Sequence, residues 1–220
     1  MAITLPAVWC PARIDEFVEL AADMIFCFGN KMYAAPLWDG GRRLGEVEAA
    51  TRLYLLCHAH SDLSKFSMDK LAWTGEEMAA LLQDERLRTT HRHLELLVCH
   101  AGSSFGTRAA IARARQIQAE YVQAFRRGDE AGVAAATRKH AAMRRPGPEP
   151  YTRPGQMIPL AGELYLALKR RGYDSLLITS YMRPVSKAFT GGQIEIDVPP
   201  KIAASKVPQY TSSWRTAAPR

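Results

Sequence analysis

This sequence lacks long apolar runs and internal repeats. None of its 220 residues belongs to an uninterrupted run of about twenty apolar residues, the length that a membrane-spanning helix needs. The first six residues lack the basic segment followed by an apolar one that marks a signal peptide. We therefore expect no transmembrane segment and a protein that works in a cytoplasm, either its own or that of a host.

Cysteine is too sparse for a disulfide framework. The four cysteines are spread over the whole chain, whereas small disulfide-stabilised domains carry many within a short length. Cys27 and Cys57 lie in apolar segments, so we expect both to be buried thiols. Cys99 differs because a predicted strand has just ended and a glycine-serine turn follows. An exposed thiol beside an imidazole is the kind that reacts.

Aromatic residues do not interleave with the basic ones, although the formal net charge is +7. Arginine is concentrated in segments 110–115, 126–127, 138–145 and 169–171. Neither a stacking platform for single strands nor a zinc finger or recognition helix accompanies them, so we expect no nucleic-acid partner. A solvated basic helix face explains these segments. The alternative is an anionic ligand, or an acidic membrane or partner surface.

Two apolar runs of strand length end in the same Cys-His pair, which is Cys57-His58 in one case and Cys99-His100 in the other. Small, turn-prone residues follow each pair. Between the runs, Thr74 and Glu77 form a capping-box pattern that predicts a helix over 75–87. Strand, helix and strand predict a parallel β-α-β unit, so both strand ends open onto one edge of the sheet.

The hydrophobic content of 47% supports one α/β domain. We divide it into residues 1–50 with a helix and the first strand, a core over 51–198 with a helical insertion at 107–150, and an irregular tail over 199–220. Further predicted elements are a helix at 14–21, a strand at 24–28, helices within 107–143 interrupted at 128–129, a helix at 159–172, a strand at 175–181 and an edge hairpin around 194–198.

The order of these motifs resembles the caspase-like clan of cysteine peptidases, which includes caspases, legumains, gingipains, clostripain and the self-cleaving domains of large bacterial toxins. The motifs are a strand ending in His58-Ala59, a helix starting at Thr74-Gly75, and a strand ending in Cys99 and a small turn. The resemblance implies a three-layer α/β/α fold with a mostly parallel central sheet. It also implies a cysteine endopeptidase, and the bacterial members are the most similar, which implies an effector or toxin-like protein.

The resemblance further implies site residues. Cys99 corresponds to the nucleophile and His58 to the general acid/base, with His60 as the runner-up. The backbone amides of Cys99 and Ala59 correspond to the oxyanion donors, and Ala59 stands where the family has glycine. The strand end at 180–182 corresponds to a wall of the substrate pocket. The predicted substrate-binding residues are Tyr181, Met182, Arg183, Asp62 and Asp39.

The expected partner is a protein or peptide substrate, and we expect no cofactor and no metal. A toxin-like protein implies one alternative, an inositol polyphosphate activator on the arginine clusters. Two other functions remain open. Cys57, His58, His60, Cys99 and His100 supply donors for a zinc site, although Cys-His-Ala-His is not a common zinc spacing. The second alternative is an inactive relative of these peptidases that docks a partner through its basic helices.

Overall fold

A computed structural model of the chain contains five α-helices, two short 3-10 helices (Gly29–Lys31 and Leu44–Glu46) and fourteen strands in the part that it describes. The described residues are 2–60, 63–104, 108–143, 145–146, 158–181, 185–190, 193–196, 202–203 and 211–215. The helices are α1 (Asp15–Phe28), α2 (Gly75–Asp84), α3 (Arg108–Arg126), α4 (Glu130–Ala142) and α5 (Leu160–Arg170). The strands are β1 (Ala7–Cys10), β2 (Leu37–Trp38), β3 (Arg52–Leu56), β4 (His58–Ala59), β5 (Phe66–Met68), β6 (Leu71–Trp73), β7 (His93–Leu97), β8 (Ser103–Ser104), β9 (Arg145–Pro146), β10 (Leu177–Tyr181), β11 (Val185–Thr190), β12 (Gln193–Ile196), β13 (Ile202–Ala203) and β14 (Thr211–Arg215).

A six-stranded sheet in the order β14-β10-β7-β3-β1-β2 forms the centre of the fold. Its last five members are mutually parallel, and β14 is antiparallel to β10. Leu56 of β3 pairs with Leu97 of β7, so the chain leaves these two strands side by side. The predicted α/β class and the parallel unit of β3, α2 and β7 are confirmed.

The strand order indicates on which face of the sheet each helix packs. The chain steps from β1 to β2 in one direction and from β3 through β7 to β10 in the other. Because β-α-β crossovers are almost always right-handed, this order predicts α1 on the face opposite to α2 and α5. Arg170 and Arg171 of the last basic segment form ion pairs of 2.6 and 2.5 Å with Glu76 of α2, which ties α5 to α2.

Local sequence explains where the helices begin. The Thr74 hydroxyl accepts a hydrogen bond of 3.2 Å from the Glu77 backbone N–H, and the Glu77 carboxylate accepts one of 2.7 Å from the Thr74 N–H. This is the predicted capping box at the start of α2. Asp129 caps α4 by accepting from the Gly132 N–H at 2.9 Å, which confirms the predicted interruption between α3 and α4.

The predicted strand at 24–28 is wrong, because these residues form the last turns of α1. A short continuous apolar run does not distinguish a strand from a buried helix. Here burial follows the helical period, with Phe17, Ala21 and Met24 inside and Phe26 86% exposed. The first strand is instead β1, whose four residues are all buried.

The predicted irregular tail is also wrong in part, since Thr211–Arg215 is an edge strand of the central sheet. This short polar segment has no apolar alternation that identifies a strand, and its ladder with β10 decides its conformation. The predicted hairpin around 194–198 pairs β12 with β11, but in a separate small sheet with β13. In the described part of the chain, no helix is both long and apolar enough to cross a membrane.

The close contact between α2 and α5 generates a prediction at Gly75. A Cβ atom added there would lie 2.7 Å from the Glu163 Cβ and 2.7 Å from the Leu164 backbone nitrogen. We expect Gly75→Ala to lower the free energy of unfolding by about 1–3 kcal/mol, because the backbones must move apart. Urea unfolding measures this. The exposed Gln83→Ala on the same helix should change stability by less than about 0.5 kcal/mol, and equal effects would contradict the tight contact.

His91 generates a second prediction, on pH. Its ring is fully buried, with Nε2 3.1 Å from the His93 carbonyl oxygen and Nδ1 without a hydrogen-bond partner among the described residues. Burial lowers the pKa of His91 from 6.5 to about 4. As the pH falls, the His91 ring therefore takes up its proton at a higher pH in the unfolded chain than in the folded protein. We expect the His91 contribution, about 3 kcal/mol, to be present above pH 6.5 and to be lost on descent to pH 4.

Urea unfolding at pH 7, 6, 5 and 4 measures this dependence. The His91→Gln variant has no titrating ring at this position, so its stability should fall less steeply over the same interval. Parallel curves for the two proteins would show that His91 is not responsible.

Candidate active site

Cys99 lies in a tight turn that follows β7 at the rim of the sheet. The Ala101 N–H donates to the Val98 carbonyl at 3.2 Å and closes this turn. His100 has a φ of 60°, the positive value that type II turns require at their second central position. A non-glycine residue adopts it at a cost of about 1–3 kcal/mol. The chain thus reverses at once, and the half-buried Cys99 stays at the surface of the sheet edge.

Two further hydrogen bonds fix this turn to its neighbours. The Gly102 N–H donates to the Tyr181 carbonyl at the end of β10, at 3.0 Å. The Ala101 carbonyl accepts from the Ala161 N–H at the start of α5, also at 3.0 Å. The position of Cys99 is therefore set by β7, β10 and α5 together.

His60 lies in the loop that follows β4. Its N–H donates to the Lys65 carbonyl and its carbonyl accepts from the Leu63 N–H, both at 2.8 Å. Leu63 is buried and contacts Ala114 of α3. The loop backbone is thus held at both polar groups of His60, whose side chain is exposed.

Cys99 and His60 both line a cavity of about 460 Å³. We call the lining residues from the strand ends and their loops its first wall, and these are Ala59, His60, Leu63, Cys99 and His100. Its second wall comes from α3 and α4, which pack against each other as a helical hairpin. A thiol and an imidazole on one cavity wall are the groups that a cysteine nucleophile and its acid/base need.

His58, the first choice for the base, does not line this cavity. Its ring meets Phe17 of α1 edge-on with centroids 4.9 Å apart, and its Nε2 lies 3.6 Å from the Glu16 carboxylate. The structure therefore places the runner-up His60 with Cys99 and places His58 against α1. The two histidines are only two positions apart in the chain. The path of the loop decides which of them lines the cavity.

Burial separates the cysteines into two groups. Cys10 and Cys57 are buried, and desolvation raises the pKa of both thiols far above the ordinary value. Burial of Cys57 is confirmed, whereas Cys27 is only partly buried because it lies on α1 rather than in a strand. The Cys99 Sγ lies 3.8 Å from the Val185 carbonyl oxygen. Cys99 is thus the accessible thiol at the cavity.

The two predicted substrate-binding residues within the described part of the chain, Tyr181 and Asp39, do not line this cavity. The Tyr181 side chain is buried, and its hydroxyl donates to the Glu95 carboxylate, which pairs with Arg52 at 3.3 Å. Burial raises the pKa of both Tyr181 and Glu95. Asp39 is exposed beyond β2, three strand spacings of about 4.8 Å each from β7. Asp62, Met182 and Arg183 lie outside the described residues.

The helical hairpin contributes cavity residues that were not predicted from the sequence. Ile117, Gln118 and Tyr121 of α3 and Thr137 and His140 of α4 line the cavity. Their spacings of three and four residues mark one face of each helix. The charge of these alanine- and arginine-rich helices marks only their solvated face, which is opposite to the face that lines the cavity.

The basic segments on α3 and α4 are mostly exposed. Arg126, Arg127 and Arg138 face solvent, and Lys139 forms an exposed ion pair with Glu120 at 3.3 Å. A solvated basic face accounts for these contacts. An inositol polyphosphate or another anionic ligand stays a prediction.

Within the described residues, no three His, Cys, Asp or Glu side chains form a group that could hold a metal ion. The zinc alternative therefore has no support from this part of the chain. No protein-family model and no curated protein matches the sequence. The chemistry of the site follows from its geometry and its residue types.

Differences in burial predict how the thiols react. In the folded protein, iodoacetamide should modify Cys99 and the partly exposed Cys27, since the thiolate is the nucleophile and needs access to the reagent. Cys10 and Cys57 should be modified only after unfolding. Peptide mass spectrometry identifies the modified positions. Modification of Cys57 as fast as that of Cys99 in the native state would contradict this assignment.

Proposed function

We propose that this chain is a cysteine endopeptidase with a caspase-like three-layer architecture, in which Cys99 is the nucleophile and His60 the general acid/base. The observation that carries the proposal is the shared cavity wall of Cys99 and His60 at the carboxyl edge of a parallel sheet. Ligand and substrate sites of open α/β sheets lie at that edge.

The chemistry uses both side chains. The Cys99 thiolate attacks the carbonyl carbon of the scissile peptide bond, and a carbon–sulfur bond forms. The imidazolium of His60 gives its proton to the leaving amine as the carbon–nitrogen bond breaks. The imidazole then takes a proton from water, the hydroxide attacks the thioester, and Cys99 is released with the carboxylic acid product.

Backbone N–H groups would hold the oxyanion of each tetrahedral intermediate. The resemblance to caspase-like peptidases points to the amides of Cys99 and of the residue after the histidine. With His58 as the base, the residue after the histidine is Ala59, and its amide is the predicted second oxyanion donor. With His60 as the base, the corresponding residue is Ser61, which lies outside the described residues, and Ala59 remains as part of the cavity wall.

Three observations favour this pair over pairs that use Cys10, Cys57 or His58. The thiols of Cys10 and Cys57 are shielded by burial. The ring of His58 contacts Phe17 and the Glu16 carboxylate on α1. The strained turn at His100 keeps Cys99 out of the strand, and strained backbone is concentrated at functional sites.

Matched histidine variants test the proposal. We expect Cys99→Ala to abolish cleavage of a peptide library, read by mass spectrometry. His60→Ala should lower kcat/KM by about 10²–10⁴-fold, because proton transfer to the leaving amine is lost. His58→Ala serves as the control and should keep cleavage within about threefold of the wild type, since general acid/base catalysis does not pass through it.

Circular dichroism checks that each variant is folded. Loss of cleavage in His58→Ala with retention in His60→Ala would make His58 the base. Cleavage by Cys99→Ala at the wild-type rate would overturn the peptidase proposal and favour the inactive binding module.

A further inference from the structure

We infer that the helical hairpin of α3 and α4 forms the subsite for the side chain of the substrate residue before the cleaved bond. This subsite selects a large uncharged side chain. The inference rests on the proposed function, because it assumes that Cys99 attacks a peptide. It concerns the second cavity wall, which the catalytic proposal does not use.

The hairpin contributes to the same cavity as the nucleophile. Cys99 and His60 line this cavity, and so do Ile117, Tyr121 and His140 of the hairpin. A peptide carbonyl within reach of the Cys99 sulfur therefore has its neighbouring side chain next to α3 and α4. The cavity volume of about 460 Å³ lies in the range of small-molecule sites and is large enough for an aromatic side chain.

Apolar contacts hold the hairpin against the catalytic loop. Ala114 of α3 is fully buried against Leu63, and Met143 beyond α4 packs against the same cluster. Ala124 of α3 and Ala136 of α4 are also buried. The second wall thus packs against the loop that carries His60.

The composition of the cavity favours an uncharged occupant. Among the described residues that line it, aliphatic side chains and the Tyr121 ring supply apolar surface, and none is Asp, Glu, Lys or Arg. The polar groups are imidazoles, the Gln118 amide and the Thr137 hydroxyl. A charged side chain entering here gives up water without gaining a partner of permanent opposite charge, whereas a large apolar one gains from burial.

The end of β10, the other candidate wall, does not offer such a surface in its described part. The Tyr181 side chain is only 3% exposed, and its hydroxyl donates to Glu95 within the sheet. Its ring therefore belongs to the packed sheet rather than to an open subsite.

Neighbouring alanines on α4 allow a matched test. Both Ala141 and Ala142 are exposed, but only Ala141 lines the cavity. We would measure kcat/KM for peptides that differ only in the residue before the cleaved bond, with Phe, Leu, Ala, Glu or Lys there. We expect the wild type to prefer Phe and Leu over Ala by about tenfold or more, and Glu and Lys to be the poorest.

Ala141→Leu should reduce the rates for Phe and Leu by about tenfold while sparing Ala, because the added side chain fills the cavity. Ala142→Leu should keep the wild-type profile. Tyr121→Ala, on the opposite helix, should instead raise the rate for Trp relative to Phe. Its readout is independent of whether the Ala141 variant folds.

The outcomes separate the two proposals. If the wild type cleaves these peptides but prefers Glu or Lys, or if Ala141→Leu and Ala142→Leu give the same profile, the subsite inference is overturned and the peptidase remains. If the wild type cleaves no peptide while iodoacetamide still modifies Cys99, the peptidase proposal itself fails, and the subsite inference fails with it.

Discussion

The parallel pairing of β3 with β7 is the constraint on which the candidate site depends. The ladder from Arg52 to Leu56 against His93 to Leu97 makes the two chains leave the sheet at the same edge. One exit leads to the His60 loop and the other to the Cys99 turn. A shift of one residue in register would exchange the faces of the side chains.

Desolvation then distinguishes chemically identical groups. Cys10 and Cys57 lie in the core next to the same sheet edge, and burial disfavours their thiolates. Cys99 lies in the turn that follows its strand, where a positive φ at His100 reverses the chain. The cost of that conformation is offset by the hydrogen bonds of Ala101 and Gly102 to α5 and β10. The same packing that stabilises the core therefore leaves one thiol accessible.

Local patterns predicted much of the fold and less of the site. The capping box at Thr74, the interruption at Asp129 and the paired strand ends depend on neighbouring residues, and each is confirmed. The strand at 24–28 was wrong because a continuous apolar run fits a helix equally well. Strand β14 was missed because its polar sequence becomes a strand only through its ladder with β10.

The sequence by itself determined the two strand-end motifs, the crossover helix between them and the small set of thiols and imidazoles at one rim. Only the tertiary structure decided that His60 rather than His58 shares a cavity with Cys99, and that α3 and α4 form its second wall. The physical reason is the separation in sequence over which the interactions act. Hydrogen-bonding and apolar patterns act between residues near in the chain, whereas the direction of an imidazole in a loop depends on contacts such as Leu63 with Ala114, which are distant in sequence.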